Sequence, residues 1–200
     1  MIVMEKNEFK KYLNNIMNEF NKIGNNEENK GVTRLGYSQI EDKMHECFLK
    51  IAKKENLHTY TDEVGNSYAY FKEYDKYDYI GSHLDSVVQG GKYDGVLGVA
   101  VGLALLIYLK DKNIDIPLKV IALRCEESSN FMYSMIGSKL ITSSINEKNI
   151  ENLTSLDGKM LKDIFKEKSY SIKPSKISDI KKFIELHIEQ GRVLESKNKK

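Results

Sequence analysis

Residues 96–109 are apolar on nearly every face that a helix could present, and this constrains the fold more than any other feature of the chain. A helix with a polar side can lie on a surface, whereas one without must be covered on most of its circumference. Two glycines, Gly98 and Gly102, interrupt the run, and at this length it is too short to span a bilayer. It predicts an inner helix of a layered fold. The 200 residues supply enough chain to cover it as one domain, or one domain plus a fragment.

The flanking segments supply the layers. Phe9, Tyr12, Leu13, Ile16, Met17 and Phe20 recur at three- and four-residue steps and predict a helix with one buried face. Ser38 and Glu41 have the spacing of a capping box ahead of Ile40, Met44, Phe48 and Ile51, which predict a second amphipathic helix. His45 on that helix is expected to be solvated or capping, and His58 likewise. The β-prone pieces 57–60 and 67–71 flank Val64, Gly65 and Asn66, whose Gly-Asn pair suits a hairpin turn. Further strands are expected at 77–82, 117–123 and 183–188. Helices are expected at 133–144 and at 158–168, the latter capped by Asp157. Strands that alternate with helices give an α/β fold, a mixed sheet flanked by helices.

Charge and cysteine content narrow the function classes. Lys and Arg number 31 against 29 Asp and Glu, a net charge of +2, so no overall field favours nucleic acid or an anionic membrane as partner. With 40% hydrophobic and 30% charged residues and 2 Pro, the chain reads as folded and globular. Cys47 and Cys125 lie far apart and form no CxxC pair, which suits a reducing compartment. The first ten residues hold no apolar core of signal-peptide length, so a cytoplasmic protein is expected.

Candidate chemistry collects just beyond strand ends. His83 and Asp85 follow the strand at 77–82, at the sheet edge where α/β proteins place their sites. One imidazole nitrogen can bind a metal while a carboxylate fixes the tautomer. Asp94, in the glycine-rich turn 90–95, is either a helix N-terminal carboxylate or a carboxylate between two metals. Glu126 and Glu127 follow the strand at 117–123, and adjacent side chains there can divide into one ligand and one general base. His187 falls inside an apolar strand, where a hydrogen-bonded core histidine is the ordinary reading. Together, two His, one Asp and one Glu at strand ends make the ligand set of a hydrolytic zinc or dizinc centre.

Several strings make a resemblance specific. They are Gly81-Ser82-His83-Leu84-Asp85-Ser86, the glycine-rich stretch 90–98, Arg124-Cys125-Glu126-Glu127-Ser128-Ser129 with Ile136-Gly137-Ser138-Lys139, and Leu186-His187-Ile188-Glu189-Gln190-Gly191. Thr33, Arg34, Leu35, Tyr37 and Ser38 add earlier landmarks, as do Val64, Gly65 and Asn66. In order and spacing these resemble the N-carbamoyl-L-amino-acid hydrolase, hydantoinase/carbamoylase and allantoate amidohydrolase group of the dizinc aminoacylase-like peptidase clan. The resemblance implies a dizinc exopeptidase-like catalytic domain. In it His83 and His187 bind one metal, Asp94 bridges two, and Glu127 binds the second. It also implies Glu126 as general base, Asp85 as orienter of His83 and Gln190 as a substrate contact. The reaction implied is hydrolysis of a linear amide or ureido C–N bond in a small molecule by metal-activated water. Two divalent ions would serve, zinc first, with manganese or cobalt as alternatives.

The resemblance also carries departures. Members of the group are about twice as long, with a lid and dimerisation domain inserted after the region matching Glu195 and a further histidine ligand beyond it. Residues 1–200 thus read as the N-terminal part of the catalytic domain, truncated, with a separate C-terminal half or a second copy as partner. Asn130 stands where the group often has Arg, which bears on local packing or substrate shape. A non-catalytic remnant that keeps the half-fold, and an aminopeptidase or deacylase of the same clan, are the competing readings.

Overall fold

The computed structural model describes residues 5–25 and 31–199. Its chain opens with two amphipathic helices, α1 (Lys6–Phe20) and α2 (Gln39–Lys54), which bury Ile16, Met17 and Phe20, and Met44, Phe48 and Ala52. A hairpin follows, β1 (His58–Thr61) and β2 (Ser67–Tyr70), turned at Gly65 with φ +91. Then come β3 (Tyr77–His83), α3 (Val96–Asp111) and β4 (Leu118–Leu123). Three short helices, α4 (Ile136–Ile141), α5 (Glu147–Ile150) and α6 (Leu161–Glu167), lead to β5 (Ile180–Ile184) and α7 (Val193–Ser196).

The five strands form one mixed sheet in the order β1-β2-β4-β3-β5. β1, β2 and β4 pair antiparallel, whereas β4, β3 and β5 run parallel. Side-chain alternation sorts each strand between two cores. Ala69, Ile80, Leu118, Val120 and Ala122 face the layer of α1, α2 and α3, while Tyr68, Tyr77, Tyr79, Ile121 and Leu123 face α4, α5 and α6. The apolar run forms α3 as expected, buried along nearly its whole length and packed between α1 and the sheet. Among the described residues no helix is long and apolar enough to cross a membrane. Met1, Ile2, Val3 and Met4 of the segment read for a leader lie outside the described residues.

Several boundaries differ from expectation, each for a local reason. The helix expected at 133–144 begins only at Ile136, because Met132 and Met135 take left-handed backbone (φ +54 and +58) that interrupts it. The helix expected at 158–168 begins at Leu161. Gly158 instead closes a turn onto the Ser155 carbonyl, and Asp157 accepts from the Ser155 hydroxyl rather than capping. The last strand ends at Ile184, so His187 lies beyond it and not inside it.

Two side chains also depart. The Ser38 hydroxyl accepts the Glu41 N–H, as a cap should, but Glu41 accepts the N–H of Tyr37 instead of that of Ser38. His45 is buried, not solvated, because its Nδ1 lies 2.9 Å from the Ser67 hydroxyl on β2. Asn130 is a packing residue: its amide donates to the Gly36 carbonyl and accepts the Leu156 N–H.

Candidate metal centre

Three parallel neighbours bring their carboxyl ends to one edge of the sheet, the position where open α/β sheets hold ligands. His83 is the last residue of β3 and pairs with Leu123, so the chain leaving β4 delivers Glu126 and Glu127 beside it. On the other side Ile80 pairs with Ile184, and three residues further along each chain His83 meets His187. Asp94 arrives from a different direction. Gly95, at the head of α3, has φ +65, and a Cβ there would stand 2.5 Å from the His83 ring. Only glycine lets the helix start so close to the imidazole, and this puts the preceding carboxylate against it.

The donor atoms converge. His83 Nε2 and His187 Nε2 are 3.4 Å apart, and Asp94 Oδ1 lies 3.2 Å from the second and 3.9 Å from the first. Each ring is fixed through its other nitrogen: His83 Nδ1 lies 3.1 Å from the Asp85 carbonyl, and His187 Nδ1 lies 2.9 Å from the Ile188 carbonyl. Both Nδ1 atoms thus carry the proton in the neutral rings, which leaves both Nε2 lone pairs turned inward. Asp94 Oδ1 is buried without a hydrogen-bond partner, an expensive state for a carboxylate oxygen unless a cation faces it. Two nitrogens about 2.0–2.1 Å from one tetrahedral ion would be about 3.4 Å apart. The residues present therefore fit a divalent ion. His83 with Glu126 and Glu127 makes a second group whose ligand atoms lie within 4.8 Å of one another.

Asp85 ties the two groups together. Its Oδ1 lies 3.3 Å from His83 Nδ1 and accepts the Glu126 N–H, and its Oδ2 accepts the Glu127 N–H at 2.9 Å. Burial of the His83 ring opposes its protonation, but the Asp85 hydrogen bond and the charges of Asp85, Glu126 and Glu127 outweigh it and raise the imidazole to about 9. Burial also pushes the Glu126 and Glu127 carboxyls above their usual value, against the counterpull of His83. So dense a set of carboxylates around an imidazole is an arrangement for holding positive charge.

His83, Asp85, Asp94, Glu126, Glu127 and His187 all reach this one edge. Gln190 lies there too, exposed, with its amide donating to Asp94 Oδ2 at 2.7 Å. Sequence reasoning missed Glu185, which accepts from the Ser82 hydroxyl at 2.5 Å and so fastens the β5 exit to β3. Its two-residue spacing from His187 was the available signal. Gly98 completes that contact, since a Cβ there would stand 2.3 Å from the Leu186 carbonyl oxygen.

Comparison with known proteins gives a consistent kinship. The model of Peptidase family M28 matches residues 50–197, the stretch that holds the whole cluster. Allantoate amidohydrolase of Escherichia coli (strain K12) is 37% identical over 175 residues, which are 83% of this chain and 42% of the relative. N-carbamoyl-L-amino acid amidohydrolase of Geobacillus stearothermophilus is 32% identical over 178 residues, 82% of this chain and 42% of the relative. The crystal structure of a hydantoinase/carbamoylase family amidase from Burkholderia ambifaria superposes with a TM-score of 0.80 at 27% identity, over 93% of this chain and 46% of that one. The chain thus spans less than half the length of these relatives. It belongs to Peptidase family M28 and is a partial-length homologue of the hydantoinase/carbamoylase dizinc hydrolases.

Proposed function

We propose that these residues form the N-terminal part of the catalytic domain of a metal-dependent amidohydrolase that cleaves a linear amide or ureido C–N bond. N-carbamoyl amino acids and allantoate-like ureides are the substrate classes. The observation that carries this reading is the convergence of His83, Asp94 and His187 on one point, with Glu126 3.8 Å from His83 Nε2. The named relatives that share the sequence support the bond type.

In this reading His83 and His187 would hold one ion, Glu127 would hold a second, and Asp94 would serve both. Zinc suits the mixed His and carboxylate set, with manganese or cobalt as substitutes. When bound, the ions polarise the scissile carbonyl and acidify water. Glu126 takes the proton of the attacking water and returns it to the leaving nitrogen. Burial raises its carboxyl above the usual carboxylate value, which favours taking up that proton. Asp85 holds the His83 tautomer and the Glu126 and Glu127 amides, and Gln190 meets the substrate beside Asp94.

Further polypeptide is needed to cover β5, every residue of which is exposed although parallel strands are normally covered on both faces. The test is ammonia release from N-carbamoyl amino acids and allantoate by zinc- or manganese-loaded protein, alone and with a polypeptide matching the remaining half of the relatives. Metal-dependent release in either arm supports the reading, and none in both sinks it. The match to Peptidase family M28 favours a second reading, a peptide bond as substrate, and aminoacyl amides in the same assay separate the two.

A further inference from the structure

Three consecutive backbone amides at the end of β4 are each held by a buried carboxylate. Glu126 and Glu127 donate to Asp85, but the first of the three, Cys125, donates to Glu41 Oε1 at 2.8 Å. Glu41 belongs to α2, 84 residues away in the chain. Its side chain is fully buried, and its Oε2 also accepts the Arg124 guanidinium at 3.1 Å and the Tyr37 N–H at 2.5 Å. A helix cap needs no such depth. A carboxylate taken wholly out of water must be repaid by the groups it meets, and here two of the three belong to the turn that carries the glutamate pair.

That turn is an unusual one. Cys125 has φ +50, a left-handed conformation that a side chain with a Cβ takes only when its surroundings over-determine it. The thiol is packed so tightly that a Cβ on Gly36 would stand 2.4 Å from its sulfur. The reversal at Cys125 swings the next two residues back toward the sheet, so their amides reach Asp85 and their carboxylates reach His83. Arg124 braces the same corner from behind, donating to Asp42 at 2.8 Å and to the Gly65 carbonyl at 3.0 Å.

We propose that Glu41 is a positioning residue which, through the Cys125 amide and the Arg124 guanidinium, sets the direction of Glu126 and Glu127. This rests on the reading above that the pair serves a metal-dependent site. Without the Glu41 carboxylate, Cys125 relaxes toward ordinary backbone and the pair turns away, while His83, Asp94 and His187 keep their places on β3, α3 and the β5 exit. The loss is therefore selective: the ion held through Glu127 goes and the one between the histidines stays.

The experiment is zinc stoichiometry by elemental analysis after dialysis, together with amide hydrogen exchange on metal-free protein, for wild type, Glu41→Ala and the near-isosteric Glu41→Gln. Expected are two ions per wild-type chain, one per Glu41→Ala chain, and at least tenfold faster exchange at the Glu126 and Glu127 amides with β3 and α3 unchanged. Glu41→Gln keeps an oxygen for the Cys125 amide and falls between. Equal exchange at the two amides overturns the proposal, as does unfolding of both variants or loss of both ions together. A wild-type chain that binds fewer than two zinc ions counts against the functional reading instead, and the exchange comparison then judges Glu41 alone.

Discussion

His83 Nε2 and His187 Nε2 face each other at 3.4 Å, although the two residues stand 104 positions apart, one ending β3 and the other just past β5. With each Nδ1 turned to a backbone carbonyl, the two Nε2 atoms must share either a proton, which the raised His83 imidazole supplies in the metal-free protein, or a cation. Replacing His187 by Ala should therefore remove the attraction for the ion, not support for the fold, because its side chain is 30% exposed. Zinc affinity should fall by more than about 100-fold, since even partners one step removed from a metal are worth about 10–100-fold. Calorimetric titration measures this, and the metal-free melting midpoint should barely move.

Asp85 offers a sharper contrast. In Asp85→Asn one acceptor oxygen becomes an NH2 group, which would point a donor at a backbone donor, the N–H of Glu126 or Glu127. A buried group left unsatisfied costs about 1–3 kcal/mol, so urea unfolding of the metal-free variant should show a loss of that size. Zinc affinity should drop as well, by about 10–100-fold, through the freed His83 ring. Unchanged stability with both amides still protected would contradict this account.

Gly98 and Gly102 share one face of α3 but differ in what a methyl group would meet. At Gly98 it meets the Leu186 carbonyl oxygen at 2.3 Å, part of a backbone that must shift. At Gly102 it meets methyl groups of Ile80 and Val120 at 3.2 Å, which can give by a few tenths of an ångström. Gly98→Ala is expected to cost about 1–3 kcal/mol, the range for overpacking, and to weaken zinc binding by displacing His187. Gly102→Ala should cost less and leave zinc binding intact. Denaturant midpoints with parallel zinc titrations check both.

The raised imidazole of His83 gives a dependence on pH with a definite sign. Its value moves from 6.5 to about 9 in the folded, metal-free protein, so the folded state holds the extra proton between those values. The group's contribution to stability is fully present below pH 6.5 and is lost as pH rises through about 9. Zinc competes with that proton. Binding below about pH 9 should release it, detectable as a dependence of the observed heat on buffer ionisation enthalpy. Zinc should also hold the melting midpoint up through pH 6.5–9, where the metal-free protein declines.

What the sequence reveals and hides follows from the range of the interactions involved. The inner helix was legible because apolarity on all faces is a property of the segment alone. The sheet edge was legible because His83, Glu126 and Glu127 each follow a strand whose apolar residues end in sequence. The burial of His45 was hidden because its partner, Ser67, lies 22 residues away on β2. Likewise the cap spacing of Ser38 and Glu41 concealed where the Glu41 carboxylate goes, since Cys125 and Arg124 become its neighbours only once the sheet is assembled. The short α4 was hidden by left-handed Met132 and Met135, residue types that carry no local sign of that backbone.

The exposure of β5 also bears on the order in which the site comes together. His83 and Asp85 are built into the packed interior, whereas His187 hangs from a strand exposed along its whole length. Local opening costs least where little is buried, so the β5 exit is the part of the site that frays first and closes last. On the proposed reading, an arriving ion would meet the His83 imidazole already in place and then draw in His187. An ion held there as proposed would staple β5 to the sheet, a structural clasp before any chemistry begins.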